Sequence, residues 1–181
     1  DKIYYINISQ DAYKLGGSSF NQVLNTIGSD APDITNASFV KRTFTTIQQL
    51  IKADKISSGH DIASGGLITS LLEMCFAEVN IGADFDFTNL SETDSIQLLF
   101  SENSGLIFQG DASVEARLTA DNIEFFTIGS VNNSGQLTIK NNDDLFTFDV
   151  DTWRDLWYKT SYLLDQKQTA NNLAKQRFDN Y

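Results

Sequence analysis

The apolar positions of this chain follow two different periods, and the period changes several times along its length. Apolar residues recur at helical spacing over 36–53 and 67–79, which is typical of amphipathic helices. They alternate with polar residues over 81–87, which is typical of a strand with one buried face. The pattern therefore predicts helices and strands that alternate through the first part of the chain.

Shorter segments complete the predicted order of elements. Residues 2–8 are rich in β-forming residues and predict a strand. A short helix is expected between a serine cap, at Ser18 or Ser19, and a terminating Gly28. The later segments are a strand or extended loop at 56–66, a helix in 92–103, a strand at 104–111, a helix in 112–122, and strands in 124–131, 135–141 and 145–150.

Strands cluster in the later part of the chain, after helices and strands have alternated in the earlier part. The polar segments 132–135 and 141–144 contain the residues that favour tight turns, so both are expected to form hairpins. We therefore predict an α/β or α+β fold with a mixed β-sheet flanked by helices.

The length of the chain bounds the number of domains. With 181 residues, of which 41% are hydrophobic, it can build one domain with a real core. We predict that residues 1–150 form this domain. Residues 151–181 begin as a helix with an apolar face and then become rich in Gln, Asn and Lys, so we expect this tail to leave the core and to need a partner surface.

Charge and cysteine content narrow the classes of partner. The formal net charge is −11 and the 13 Lys and Arg residues do not cluster, which argues against nucleic acid and anionic membranes as partners. The single Cys75 cannot form an internal disulfide and no signal-like apolar run occurs, so a cytoplasmic protein is expected. Phosphate ligands would need main-chain N–H groups at a helix start, or a divalent cation.

The only histidine, His60, precedes Asp61 and a Gly65-Gly66 pair that opens a predicted helix. Glycines let main-chain N–H groups approach an anion at the positive end of a helix. Ser64 adds a hydroxyl, and Asp61 is the kind of oxygen ligand that Mg²⁺ takes together with phosphate. The residue types alone also fit a structural interpretation, in which the histidine forms hydrogen bonds and the aspartate caps a turn.

A second glycine pair at 15–19 repeats this arrangement, with hydroxyls at a helix start. On its own it is best interpreted as a strand-to-helix turn, but two such corners that face one cleft could hold one ligand or line one interface. Glu102 could face a ligand or be a solvated acid, and the solvated interpretation is favoured; Cys75 is interpreted as part of an apolar helix face and not as a nucleophile. The candidate nucleotide-binding residues are Gly16, Gly17, Ser18, His60, Asp61, Ser64, Gly65 and Gly66, with Asp61 also as the metal ligand.

Four segments carry a resemblance to a known family: LGGSSFNQVLNTIG, GHDIASGGLITSLLEMCFAEVNIG, LLFSENSGLIFQ and WRDLWYKTSYLLDQ. In this order they resemble phosphoribosylformylglycinamidine synthase, an ATP- and glutamine-dependent ligase of purine biosynthesis. The chain is similar over nearly its whole length to the second AIR-synthetase-type C-terminal domain of the long, single-chain form. The aromatic tail resembles the segment that leads to the glutaminase domain.

The resemblance implies a function for the whole enzyme and a narrower one for this domain. The enzyme converts formylglycinamide ribonucleotide to the amidine with ATP and with ammonia from glutamine. This domain is expected to contribute an auxiliary site for Mg²⁺ and ADP, with Asp61 on the metal, and an interface to the other domains, and to be inactive alone. The family commonly has serine at the position of Ala63, so it is open whether Ser64 replaces that serine.

Two other hypotheses belong to different classes. The chain could be a free-standing ligand-binding or interaction module that shares only the fold. It could also be a related kinase or selenophosphate-type synthetase of the same superfamily, which the Trp153 and Trp157 pair in the tail disfavours.

Overall fold

The computed structural model describes residues 1–78 and 80–180, in which seven strands and seven helices follow one another. Their order is β1 (Lys2–Asn7), α1 (Ser19–Val23), α2 (Ala37–Lys52), β2 (Ile56–Asp61), α3 (Gly66–Cys75), β3 (Gly82–Asp86), α4 (Ser95–Phe100), β4 (Gly105–Gly110), α5 (Ser113–Ala120), β5 (Phe126–Asn132), β6 (Gln136–Asn141), β7 (Asp144–Asp149), α6 (Val150–Gln168) and α7 (Leu173–Phe178).

The strands form one mixed sheet in the order β2-β4-β1-β5-β3-β6-β7. Neighbouring strands are antiparallel except for β3 and β6, which are parallel. The predicted fold class, a mixed sheet flanked by helices, is confirmed. Strand β2 pairs with β4 and lies at one edge of the sheet, and β7 lies at the other edge.

One predicted hairpin is wrong and the other is correct. Strand β3 lies between β5 and β6, so residues 132–135 connect two strands that are not neighbours. Turn residues show where a chain bends, but strand pairing depends on which apolar strand fills the adjacent position. Residues 141–144 do connect β6 to β7, with Asn142 in the left-handed region at φ 52°.

Helices cover both faces of the sheet, and the side chains of β1 divide between two cores. Ile3 and Tyr5 belong to a cluster with α3 and α4, whereas Tyr4 and Ile6 belong to a second cluster with α2 and α5. Successive residues of a strand point to opposite faces, so an unbroken apolar run is what a central strand needs when both faces are buried.

The first predicted helix differs from expectation in length and in burial. Ser18 caps α1, as expected, but the helix ends at Val23, and the apolar residues Val23, Leu24 and Ile27 are exposed. Helix α3 was expected to reach residue 79 and ends at Cys75. Val79 itself lies outside the described residues.

The tail begins on the surface of the domain and then folds back on itself. Asp149 caps α6 by accepting from the N–H of Thr152 at 2.8 Å, and Val150 is buried. Farther along, Tyr162 stacks on Phe178 of α7 at 4.6 Å between ring centroids. No helix in the described ranges has the length and apolarity needed to cross a bilayer.

Candidate functional site

Asp61 ends the edge strand β2 and presents its carboxylate to solvent. Its main chain pairs with Leu106 of β4, and its carbonyl oxygen accepts a hydrogen bond from Ser70 Oγ at 3.1 Å. The side chain is 83% exposed. The backbone of Asp61 is therefore fixed by the sheet and by α3, while the carboxylate is free to take a ligand.

His60 connects this carboxylate position to the rest of the molecule. Its Nδ1 lies 2.6 Å from the main-chain carbonyl oxygen of Asp61, and its Nε2 lies 3.0 Å from Glu73 Oε2 on α3. The other carboxylate oxygen of Glu73 accepts a hydrogen bond from the indole N–H of Trp157 at 2.8 Å. Both ring nitrogens thus lie close to oxygen acceptors of the protein, and because a neutral imidazole has a single N–H, it donates to one of them at a time.

The glycine pair before α3 is required by a close approach of two segments. Gly65 and Gly66 both adopt positive φ, at 92° and 76°. A Cβ on Gly66 would lie 2.7 Å from the carbonyl oxygen of Leu99 and 2.8 Å from that of Ser101. The start of α3 can therefore pack against the end of α4 only if this position lacks a side chain.

The other glycine corner is closed by its own loop. The N–H of Gly16 donates to the Asp30 carbonyl at 2.9 Å, and that of Gly17 donates to the Ile27 carbonyl at 2.7 Å. Ser18 Oγ donates to the Leu15 carbonyl at 2.7 Å. These contacts are those of a strand-to-helix turn with a serine cap.

Glu102 brings the two corners together. Its Oε1 accepts from the N–H of Gly65 and from the N–H of Ser19, both at 2.8 Å. Burial raises the pKa of this carboxyl, but the two N–H bonds outweigh burial and leave the pKa below its ordinary value of 4.5. The interpretation of Glu102 as a solvated acid is therefore wrong, because the protein's own carboxylate already binds at the positive end of α3.

The remaining titratable candidates do not add a second reactive centre. Cys75 is buried, and burial raises the pKa of its thiol to about 11, so it is a core residue as expected. Within residues 1–78 and 80–180, no group of three or more His, Cys, Asp or Glu side chains is arranged to hold a metal ion. A cation at Asp61 would need a ligand or water to supply most of its oxygens.

An apolar groove of about 580 Å³ runs between α2 and the edge strand β2. His60 and Asp61 are among its lining residues, and Phe44 of α2, also part of the lining, is 66% exposed. Thr43 contributes a buried hydroxyl for which the described residues offer no hydrogen-bond partner. The groove therefore combines an apolar surface with an exposed carboxylate, whereas the Thr43 hydroxyl is not accessible at that surface.

Comparison with known proteins identifies the family. A family model described as AIR synthase related protein, C-terminal domain, matches residues 1–141. The chain belongs to this family. The AIR synthase related domain is 32% identical over 172 residues to the probable phosphoribosylformylglycinamidine synthase, chloroplastic/mitochondrial, of Arabidopsis thaliana, a match that covers 92% of this chain and 12% of the relative.

The human phosphoribosylformylglycinamidine synthase is 30% identical over 174 residues, which is 92% of this chain and 13% of the relative. The chain therefore spans only about an eighth of the length of these relatives. The resemblance to phosphoribosylformylglycinamidine synthase inferred from the sequence is confirmed.

A solved structure supports the fold of the AIR synthase related domain. T. maritima PurL complexed with FGAR superimposes with a TM-score of 0.61 at 16% identity, over 84% of this chain and 27% of that chain. Other structures of the same protein are complexes with ATP or ADP. At this level of identity the likeness concerns the fold alone.

The segment around Asp61 was singled out from the sequence, but two side chains that connect to it in the structure were missed. Glu73 contacts His60 from α3, and Trp157 contacts Glu73 from α6. Glu73 lies on the polar side of a predicted amphipathic helix, where a solvated role is the usual expectation. One feature of the sequence could have indicated such partners. His60 has two ring nitrogens that form hydrogen bonds, so side chains from other segments were to be expected near it.

Proposed function

We propose that this chain is a domain of a phosphoribosylformylglycinamidine synthase and that it contributes an auxiliary Mg²⁺-nucleotide site at Asp61. The full-length enzyme would convert formylglycinamide ribonucleotide to formylglycinamidine ribonucleotide with ATP and glutamine, and the domain alone would not catalyse. The observation that carries this proposal is the exposed carboxylate of Asp61, fixed at its backbone and bordering an apolar groove.

The Asp61 carboxylate is a suitable ligand for the Mg²⁺ ion of this proposal. Mg²⁺ is usually held by one or two carboxylates together with phosphate oxygens and water. The nearest ion-pair partner of the Asp61 carboxylate is His60 Nδ1 at 3.9 Å, which is too far for a strong hydrogen bond. The carboxylate can therefore turn to a metal without breaking an interaction that stabilises the fold. In an anionic protein, the cation also offsets repulsion of the phosphates.

The groove beside Asp61 suits the other part of a nucleotide. A purine base needs an apolar surface, which Phe44 and the other apolar lining residues of the groove offer. Ser64, exposed between Asp61 and α3, is the proposed hydroxyl contact to a phosphate. We therefore propose that the base occupies the groove and that the phosphates extend to the end of β2.

The glycines have a supporting role in this proposal. The N–H of Gly65 already donates to Glu102, and the N–H groups of Gly16 and Gly17 donate within their loop. A phosphate would have to displace these partners to bind there. We therefore propose that Gly16, Gly17, Ser18, Gly65 and Gly66 shape the corner, and that the metal holds the phosphate.

The domain is also proposed to form interfaces with other domains of the same full-length chain, the glutaminase domain and the first synthetase half. Residues 1–150 would be the folded unit and 151–181 the segment that leads away from it. Leu156, Leu163 and Leu164 of α6 are exposed, which supports a covered surface there in the longer protein. The cytoplasm stays our proposed location.

The experiment is a calorimetric titration of ADP with Mg²⁺ into the full-length protein. Asp61→Asn should weaken binding at this site about tenfold or more, because it removes the charge of the metal ligand. Asp143→Asn is the matched control, since Asp143 is an exposed aspartate in the turn between β6 and β7, at the opposite edge of the sheet. Equal affinity for both variants and the wild type would refute the proposed site.

A further inference from the structure

Three short polar contacts connect α6 to the end of β2. The indole N–H of Trp157 on α6 donates to Glu73 Oε1 at 2.8 Å. The other oxygen of Glu73, on α3, lies 3.0 Å from His60 Nε2. The opposite ring nitrogen of His60 lies 2.6 Å from the carbonyl oxygen of Asp61. The contacts thus form a continuous series from α6 through α3 to β2.

Each member of this series is held in place by the next. The carbonyl of Asp61 is contacted from one side by His60 and from the other by Ser70 Oγ. The orientation of the imidazole depends on Glu73, because the ring can rotate about its own side-chain bonds unless its second nitrogen is bound. Glu73 in turn has two side-chain partners, which restrict its rotamers. Loss of one contact therefore releases the residues that lie between it and Asp61.

Trp157 is placed for this contact by aromatic packing. Its ring meets Phe76, just after α3, edge to face at 6.2 Å between centroids. The other tryptophan of the helix, Trp153, packs edge to face on Phe148 at 5.7 Å. Among the described residues the indole N–H of Trp153 has no hydrogen-bond partner. The two tryptophans thus share a helix and a mode of packing but differ in their polar contact.

We infer that Glu73 and Trp157 are positioning residues for the Mg²⁺-nucleotide site, so that docking of α6 on α3 fixes the main chain of Asp61, from which its exposed carboxylate would reach the metal. This inference rests on the proposed function of Asp61. Partners that orient a metal ligand through a second residue affect metal binding although they do not touch the metal. The segment that leads away from the domain is then coupled to the ligand site, and its displacement weakens nucleotide binding.

The test compares Trp157→Phe with Trp153→Phe in the full-length protein. Both substitutions remove one indole N–H and keep an aromatic ring, but only the first removes a contact to Glu73. Hydrogen–deuterium exchange of the peptide 56–66 is titrated with ADP, once with Mg²⁺ and once with EDTA. Because this peptide contains Asp61, its protection reports binding at this site more directly than the heat of the whole titration does.

Trp157→Phe should raise the concentration of Mg²⁺-ADP needed for protection about tenfold. This is the low end of the effects seen when a partner of a metal ligand is removed, because Trp157 acts on Asp61 only through Glu73 and His60. Protection by ADP in EDTA should be unchanged, and Trp153→Phe should match the wild type. Glu73→Ala, which breaks the same series without altering α6, should reproduce the effect. Unchanged exchange of β6 and β7 verifies that each variant is folded.

The outcomes separate this inference from the proposed function. If Asp61→Asn abolishes the Mg²⁺-dependent protection while Trp157→Phe and Glu73→Ala leave it intact, the positioning role is wrong and the site stands. If Trp157→Phe weakens ADP with and without Mg²⁺ equally, its role is structural and the inference is also wrong. If Asp61→Asn itself binds like the wild type, the proposed function fails and the inference fails with it.

Discussion

The two glycine corners look alike in sequence and differ in the structure. Both place a glycine pair and a serine at the start of a helix, and both donate an N–H to the same oxygen of Glu102. The corner at 15–19 is closed by hydrogen bonds to its own loop. The corner at 64–66 lies between a buried helix and the exposed carboxylate of Asp61.

This difference shows what a glycine pair predicts. It predicts a left-handed backbone or a close approach, and both occur here. It does not predict whether the N–H groups are available, because that depends on carboxylates and carbonyls from distant parts of the chain. Here Glu102 occupies the position that the sequence pattern offers to a phosphate.

The largest expected effect belongs to Gly66→Ala. The added Cβ would lie within 2.8 Å of three backbone atoms at the end of α4, in a residue with φ of 76°. Strain of the left-handed backbone and overpacking together should lower the free energy of unfolding by about 3 kcal/mol or more. Urea unfolding of the purified protein measures it. A loss below about 1 kcal/mol would show that α3 and α4 can separate at little cost.

Glu102→Gln should have the next largest effect, because it weakens both corners at once. A neutral amide oxygen accepts the two N–H bonds less strongly than a carboxylate, so we expect a loss of about 1–2 kcal/mol at pH 7. Glu124→Gln is the matched control, since Glu124 is exposed and forms no hydrogen bond to another described residue. Urea unfolding of both variants gives the comparison.

The effect of Glu102→Gln should depend on pH. The pKa of Glu102 is lowered in the folded protein, so its carboxylate stabilises the fold above the ordinary value of 4.5. As the pH falls through the lowered folded pKa, the carboxyl is protonated and this stabilisation is lost. The difference between wild type and variant should therefore shrink at acidic pH. If the difference in the free energy of unfolding stays constant until Glu102 is fully protonated, the negative charge of Glu102 does not contribute to stability.

Gly17→Ala should be milder than Gly66→Ala. The backbone is also left-handed, with φ of 75°, but a Cβ at this position has no atom within 4 Å. Only backbone strain remains, which costs about 1 kcal/mol. The same urea experiment measures it, and a loss equal to that of Gly66→Ala would contradict the distinction between the two corners.

The smallest expected effect is a gain in affinity for the nucleotide at the corner beside Asp61. Ala63 is exposed, and the family resemblance of the sequence implies serine at this position, so Ala63→Ser should add one hydroxyl contact to the nucleotide. A net hydrogen bond of about 0.5–1.5 kcal/mol corresponds to roughly 2- to 12-fold tighter binding of Mg²⁺-ADP. Calorimetry measures the gain, and Ser64→Ala tests whether Ser64 already supplies this contact. If Ser64→Ala has no effect and Ala63→Ser gives no gain, neither position contacts the ligand.

Much of the fold followed from local patterns in the sequence. Helix α2 begins after Asn36 and ends at Lys52, close to the predicted bounds, because its periodicity is long and its cap is clear. The insertion of β3 between β5 and β6 was not predictable in this way, since pairing is decided by the whole sheet. Likewise, the apolar residues Val23, Leu24 and Ile27 follow the predicted helical pattern but contact no core.

The candidate site was predictable in part. The segment around Asp61 could be proposed because several residue types with compatible chemistry stand close together in the sequence. Glu102, Glu73 and Trp157 are separated from it by 12 or more positions, and each is an ordinary residue in its own segment. Contacts between such residues appear only after the strands and helices have been assembled.

The central claim is that Asp61 binds a Mg²⁺ ion that carries a nucleotide, and it is tested most directly by a crystal structure of the full-length protein with ADP and Mg²⁺. The account predicts a metal about 2.0–2.1 Å from a carboxylate oxygen of Asp61, with phosphate oxygens among its other ligands. Density for Mg²⁺-ADP elsewhere, with the Asp61 carboxylate in contact only with water, would contradict it.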